Sequence, residues 1–419
     1  AVAKIVKDLN KETKVLYGGV YVTMNPDVAI KDENVDYFFL GEGEHTLPHM
    51  IKYFKGDLKE LPTKGIMYVD KQTGKKVNLG KAEYIKDLDA LPPPAYHLID
   101  FEKYSTKVTR RNSVDSPRLF PYARLYTSRG CPFDCSFCQV GEISGRKFRF
   151  QSVKKVIEEM KILKNEYGVK SFIISDDNFF MHKKRVKEIL NAMIDNDLAM
   201  PWLSEDTGVM HLDKELLDLC KKSGCEYIGC AIETGNERIM QDIIRGKKFT
   251  KSHVFEMVRY AQSIGLFVAA NFIIGFPTET WDEIRETLKF ADDLSPDYVR
   301  IFNLIPLKNT PLWEMCEKEE AFRDGYDHFN MKQSWNGGLI KSKNYTSNDL
   351  LILRTFEWDR INFAKPEKRE KIRLRLEMSH QELDQMRRKT IDGVFSRIST
   401  DDRASIIDLS TKKPKKLAV

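Results

Sequence analysis

No segment of this 419-residue chain is apolar for long enough to cross a bilayer. The longest largely apolar run, residues 266–276, has eleven residues, about half of the ~20 that a spanning helix needs. No secretory leader is visible; the chain opens on Ala1 rather than Met, so its natural start is expected upstream. Cysteine is scarce and uneven: seven in all, none before 131, then Cys131, Cys135 and Cys138 within eight residues, and Cys220, Cys225, Cys230 and Cys316 singly. An odd, clustered set does not make a secreted disulfide framework; it predicts a metal site in a reducing, cytoplasmic compartment. Charge of one sign is also missing. Lys and Arg number 68 against 62 Asp and Glu, and five of the six net positive charges fall in residues 366–419. The near-neutral remainder lacks the basic field of a nucleic-acid binder, and the terminal Lys412-Lys413-Pro414-Lys415-Lys416 reads as a solvated tail. With 42% hydrophobic and 31% charged residues, the chain is expected to be globular, with two or three domains and a large core.

The pattern divides the chain into four stretches: residues 1–90, a linker at 91–119 stiffened by Leu91-Pro92-Pro93-Pro94, residues 120–310, and an extension at 311–419. The first opens with a helical spacing (Val2, Ile5, Val6, Leu9). It continues with a strand over 14–17 that ends in Gly18-Gly19, and a second over 35–40 that ends in Gly41-Glu42-Gly43-Glu44. A helical pattern (Leu47, Met50, Ile51, Phe54) follows. Strand–glycine–helix is the signature of an α/β sheet with a ligand edge at its strand C-termini. Two strands are too few for a doubly wound sheet, so this stretch is expected to be only part of one.

The third stretch repeats strand then helix. Strands are expected at 122–128, 170–176, 200–206, 226–232, 266–275 and 297–305, with helical patterns between them, as in Val153–Tyr167. Such alternation implies parallel pairing by right-handed crossovers. Six units suit part of a (β/α) barrel, with its chemistry at the strand C-terminal edge. The extension, which holds Trp313, Trp335 and Trp358, is expected to be mostly helical, and its aromatics are candidates for covering a substrate.

The chemistry concentrates in Arg129-Gly130-Cys131-Pro132-Phe133-Asp134-Cys135-Ser136-Phe137-Cys138, a C-x3-C-x2-C loop directly after the first barrel strand. Thiolates are soft ligands for iron–sulfur clusters and zinc. Three cysteines can each hold one iron of a [4Fe–4S] cube and leave the fourth open, whereas an electron-carrying cluster normally takes four. Structural zinc with a distant fourth ligand is the plainer alternative. The evenly spaced Cys220, Cys225 and Cys230 read instead as buried free thiols.

This spacing, at this place, resembles the radical S-adenosylmethionine (SAM) superfamily, whose core is a (β/α)6 partial TIM barrel. The resemblance covers roughly residues 120–310. It implies that Cys131, Cys135 and Cys138 hold the cluster, that the open iron binds SAM, and that reductive cleavage yields a 5′-deoxyadenosyl radical. It places Phe137 near the adenine. It also sets Asp176 and Asp177, in Ser175-Asp176-Asp177-Asn178-Phe179, beside the SAM ammonium, although a helix N-cap would use Asp177 or Asn178 equally well. Glu233, in Ile232-Glu233-Thr234-Gly235, is implied to accept from the ribose hydroxyls. In Gly275-Phe276-Pro277-Thr278-Glu279, Gly275 is implied to let the backbone approach the adenine and Pro277 to belong to the SAM site, while Thr278 or Glu279 would serve equally well to cap the next helix.

The first stretch resembles the C-terminal part of the Rossmann-like cobalamin-binding domain that precedes the barrel in the cobalamin-dependent radical SAM subgroup. By that resemblance Gly18, Gly19, Gly41, Glu42 and Gly43 face the cobalamin tail. The implied activity is methyl transfer to, or oxidative cyclisation of, a small molecule, with electrons from an external donor such as flavodoxin or ferredoxin. Two rivals are a tRNA-modifying methylthiotransferase, whose own N-terminal cysteines are missing from residues 1–130, and a non-catalytic iron–sulfur protein.

Overall fold

The computed structural model describes residues 2–104, 113–205, 207–326 and 338–396. Trp335 and the lysine-rich tail at 412–416 lie outside the described residues. Strands β1 (Leu16–Tyr17), β2 (Tyr37–Phe39), β3 (Ile66–Val69) and β4 (Lys76–Asn78) form one sheet in that order. β1 and β2 run parallel, while β2–β3 and β3–β4 are antiparallel. The expectation of two strands therefore missed a hairpin. Its turn is built by Asp70, whose Oδ1 accepts from the amides of Gln72 and Thr73, and by Gly74, whose amide donates to the Asp70 carbonyl. Lysines at 71, 75 and 76 mask the short apolar alternation around it.

The barrel strands are β5 (Tyr122–Leu125), β8 (Ser171–Ile174), β9 (Trp202–Ser204), β10 (Cys225–Glu233), β11 (Phe267–Ile274) and β12 (Tyr298–Asn303); β6 (Ser128–Arg129) and β7 (Arg149–Phe150) form a small antiparallel ribbon beside them. The six strands make a single parallel sheet in chain order, from β5 at one edge to β12 at the other. Helices Val153–Tyr167, Lys183–Asp195, Lys214–Lys222, Lys251–Ser263 and Trp281–Leu294 fill the crossovers. Their starts are chemically marked: Ser152, Asp213, Thr250 and Thr280 each accept from an amide of the first turn, which satisfies groups that the helix cannot.

The two faces of this sheet differ sharply. Ile228, Cys230 and Ile232 of β10, with Val268, Ala270 and Phe272 of β11, point toward the helices and are almost wholly buried. The inner face carries polar groups. Arg300 of β12 donates to Tyr227 Oη at 2.8 Å and Asn271 Oδ1 at 3.3 Å; Ile273 and Phe302 lie side by side in register, with Phe302 exposed.

The extension is helical, at Pro311–Lys318, Ser347–Phe363, Pro366–Leu376 and His380–Phe395. Helix Ser347–Phe363 covers the open edge of β12. The Asn362 side chain takes the Val299 amide and donates to its carbonyl, both at 2.8 Å, and Arg354 Nε donates to the Ile301 carbonyl. Edge strands left open invite unwanted pairing, so this helix does structural work. Trp358 belongs to it, buried with its Nε1 on Tyr298 Oη, and is no substrate cover. Among the described residues no helix is long and apolar enough to cross a membrane.

Candidate active site

The cysteine loop leaves ribbon strand β6 at the carboxyl edge of the parallel sheet. Two groups pin its root. Asp176, at the end of β8, accepts from the Thr127 amide, Thr127 Oγ1 and Ser128 Oγ at 2.5–2.6 Å. Asp177 Oδ2 accepts from the Gly130 amide at 2.8 Å. Further on, the Ser136 amide donates to the Ile244 carbonyl, and the Leu312 amide to the Ser136 carbonyl. Gly246 lies against the loop so closely that a Cβ there would stand 2.4 Å from Cys135 Sγ and 2.5 Å from its amide nitrogen.

Cys131 and Cys138 are partly accessible and Cys135 is buried. Polar donors approach two of the sulfurs: Asn178 Nδ2 lies 3.9 Å from Cys131 Sγ, and the Val140 amide 3.5 Å from Cys138 Sγ. Burial pushes the Cys135 thiol up to about 12 and raises Cys138 too, while the Lys247 ammonium pulls both back. Hydrogen-bond donors and a nearby cation are what sulfur ligands need once they carry negative charge. The loop therefore fits a thiolate-bound cluster. Among the described residues no three His, Cys, Asp or Glu side chains are grouped to hold one metal ion; thiolates that each take a different iron need no such convergence.

Glu233 ends β10 on the same edge, buried and at a φ of 74°, a left-handed conformation that costs a non-glycine residue on the order of 1 kcal/mol or more. Its carboxylate is ion-paired with Lys247, which also donates to the Ala231 carbonyl at 2.9 Å. The sequence reading missed Lys247: a lysine fourteen residues past the strand, after the π-helical turn Ile239–Ile244, carries no pattern that singles it out. It missed His211 as well. That ring is buried, 3.4 Å from Asn178 Nδ2 and in contact with Phe133. Burial, helped by Lys183 and Lys247, holds it down to about 4.

Several assigned roles change. Asp176 is buried and accepts three hydrogen bonds from the loop root, so it acts as a buttress for the cysteine loop. Neither Asp177 nor Asn178 caps a helix: Asn178 makes no capping bond, and helix Lys183–Asp195 is capped by His182. Gly275, at a φ of +89°, faces the extension, where a Cβ would stand 2.5 Å from Leu350 Cδ1. Its amide and that of Phe276 donate to Glu279 Oε2, and Tyr345 Oη donates to the Phe276 carbonyl. Pro277 is buried in this same loop, and Phe137 is half-buried against the core.

Of the first sheet's strand-end residues, Gly19, Gly41 and Glu42 line a cavity of about 250 Å³ whose other wall is Tyr126, Ser128, Ser175 and Asp177 of the barrel edge. Gly18 instead packs on Phe39, and Gly43 faces open space. Glu42 is drawn into the joint between the two sheets. It takes both Nη atoms of Arg149 at 2.8–3.0 Å, the Ile85 amide at 2.7 Å and Arg129 at 3.2 Å, which leaves it no free acceptor for a cobalamin tail.

Comparison with known proteins identifies similar sequences and folds. The family profile "Radical SAM superfamily" matches residues 125–291. An uncharacterized methyltransferase of Pyrococcus horikoshii is 34% identical over 75% of this chain and 65% of its own length. The cytidylyl-2-hydroxyethylphosphonate methyltransferase of Streptomyces wedmorensis is 28% identical over 80% of this chain and 69% of its own. In fold, the chain is similar to OxsB, a cobalamin-dependent S-adenosylmethionine radical enzyme solved with aqua-cobalamin. The TM-score is 0.67 at 16% identity, over 98% of this chain and 63% of that one.

Proposed function

Because the chain belongs to the radical SAM superfamily, we propose that it is an enzyme that cleaves SAM reductively at a [4Fe–4S] cluster held by Cys131, Cys135 and Cys138. In this reading the cleavage serves a cobalamin-dependent methyl transfer, or a related radical transformation, on a small molecule. The observation that carries it is the meeting of three elements at one sheet edge: the cysteine loop after β6, the Asp177–Asn178 turn after β8 and the Glu233–Lys247 pair after β10. When bound, the cluster supplies an electron and an open iron, and cobalamin a transferable methyl group.

The chain's own residues then divide the remaining work. Asp176, Asp177 and Gly246 hold the cysteine loop in shape. Lys247 supplies positive charge beside Cys135 and Cys138 and fixes the Glu233 carboxylate, which is assigned to the SAM ribose. Phe137 and Pro277 are assigned to the adenine, and Gly275 only to the fold of its loop. Gly19 and Gly41 are assigned to one side of the cobalamin site, with Gly18 and Glu42 confined to packing and to the joint. Residues 1–90 thus act as the cobalamin side, 120–310 as the radical SAM core and 311–419 as its cover, with 91–119 linking the first two. A ferredoxin or flavodoxin is the proposed electron source.

The test is product analysis after anaerobic cluster reconstitution and incubation with reductant and SAM. 5′-Deoxyadenosine should form, and S-adenosylhomocysteine should accompany it if the chain methylates. Formation of neither would overturn the reading.

A further inference from the structure

The inner face of the parallel sheet holds an ion pair that neither packing nor the cluster explains. Register places Arg124 of β5 beside Ile173 of β8, and Ile173 beside Leu203 of β9. Leu203 in turn sits beside Tyr227 of β10, and Asn271 beside Arg300 of β12. Side chains paired in register share a face, and residues two apart along a strand return to it, which brings Ser175 and Glu205 to the face of Arg124. The Arg124 Nη1 donates to Ser175 Oγ at 2.8 Å and to Glu205 Oε1. These contacts fix the guanidinium plane from one side only. Among the described residues its Nε and Nη2 donate to no protein group, and the Arg124 and Glu205 side chains are 47% and 45% exposed. An ion pair that open contributes little to stability. Ser175 also lines the cavity that Tyr126 and Asp177 share with Gly19 and Gly41. Toward the far side of the same face, Ile273 of β11 and the exposed Phe302 of edge strand β12 offer apolar surface.

We propose that Arg124 anchors the substrate of the reaction described above: its free edge receives, as a two-pronged donor, the oxyanion of a carboxylate or phosphoryl group, and the apolar wall accepts the rest of the molecule. Planar guanidinium suits such bidentate recognition better than lysine does. Ser175 and Glu205 are positioning residues that hold the plane, and Glu205 also moderates its charge. The assignment rests on the radical SAM reading for the nature of the reaction, but the anion site itself is read from Arg124 and its partners.

Inorganic phosphate and malonate serve as probes, with binding to the full reconstituted chain followed by ³¹P and ¹H NMR line broadening. The probe that binds more tightly identifies the preferred head group. Arg124→Gln should weaken the preferred probe roughly tenfold or more, as loss of a charge-assisted pair does. Glu205→Gln should tighten it about threefold by removing a competing negative charge, an effect of opposite sign that misfolding does not mimic. Arg285→Gln, an exposed helix position away from the sheet, should change nothing. Saturating SAM should not displace the probe. Failure of the unmutated chain to bind either anion, equal binding by Arg124→Gln, or competitive displacement by SAM would each overturn the assignment. Anion binding without 5′-deoxyadenosine formation would instead sink the reaction and leave the site standing.

Discussion

Lys247 and Glu233 form an ion pair in which the two side chains are only 11% and 8% exposed. Burying two charges is unfavourable unless each completes the other, and here the pair stands beside the cysteine loop with Glu233 in a left-handed conformation. Removal of one partner strands the other in a dry site. Lys247→Ala should destabilise the chain by about 3–5 kcal/mol, measured by urea denaturation. Glu233→Gln should cost less, and the double variant should be more stable than the two losses added together predict. Strict additivity would show that the two groups do not depend on each other.

The cysteines divide into two sets with different expected behaviour. Replacing Cys131, Cys135 or Cys138 by Ala should abolish visible iron–sulfur absorbance and SAM cleavage. Cys220, Cys225 and Cys230 are buried in the core, at 0–2% exposure. Their Ala variants should retain iron and lose only on the order of 1 kcal/mol of stability. Iron loss of equal size in both sets would contradict a single cluster.

Much of this architecture was legible because local chemistry and global fold agree. The central barrel strands show as apolar runs with a turn at the end, and helix Val153–Tyr167 has the bounds that its periodicity implies, between Ser152 and Gly168. The cysteine loop is readable from spacing alone. The misreadings share a cause: a residue's type and position were visible, but not which neighbour reaches it first. Asp176 lies where a ligand carboxylate is expected, yet Thr127 and Ser128 have taken its oxygens. Glu42 follows a strand-end glycine, yet an arginine 107 residues away claims it. Lys247, Arg124 and Glu205 matter through pairings across the sheet edge, which no window along the chain contains.

Glu279 gives the stability an unusual pH dependence. It is wholly buried, and burial pushes its carboxyl up to about 8 although two backbone amides favour the charged form. A carboxyl raised in the fold is neutral there while the unfolded chain already ionises near its ordinary value of about 4.5. Stability is therefore unaffected by this group below about pH 4.5, falls as pH rises toward 8, and levels above it. The integrated loss is on the order of a few kcal/mol. Glu279→Gln cannot ionise and should flatten that decline. Urea denaturation of both proteins at several values between pH 5 and 9 measures the difference, and parallel profiles would refute a neutral Glu279.

Gly275 separates a ligand role from a packing role. At a φ of +89° any L-residue is strained by about 1–2 kcal/mol, and an added methyl would also meet Leu350 Cδ1 at 2.5 Å. If the glycine is required only because helix Ser347–Phe363 presses on this loop, the collision depends on Leu350 while the strain does not. Gly275→Ala should therefore lose more stability than strain alone explains. Leu350→Ala should cost about 2–5 kcal/mol through the cavity it opens. Combined, the two should be less destabilising than their sum, because the new methyl occupies part of that cavity. SAM affinity, measured on iron-replete protein by equilibrium dialysis, should recover in the double variant along with stability. Recovered stability with SAM affinity still lost would return Gly275 to the adenine, because then a methyl group at that point obstructs the ligand and not the helix.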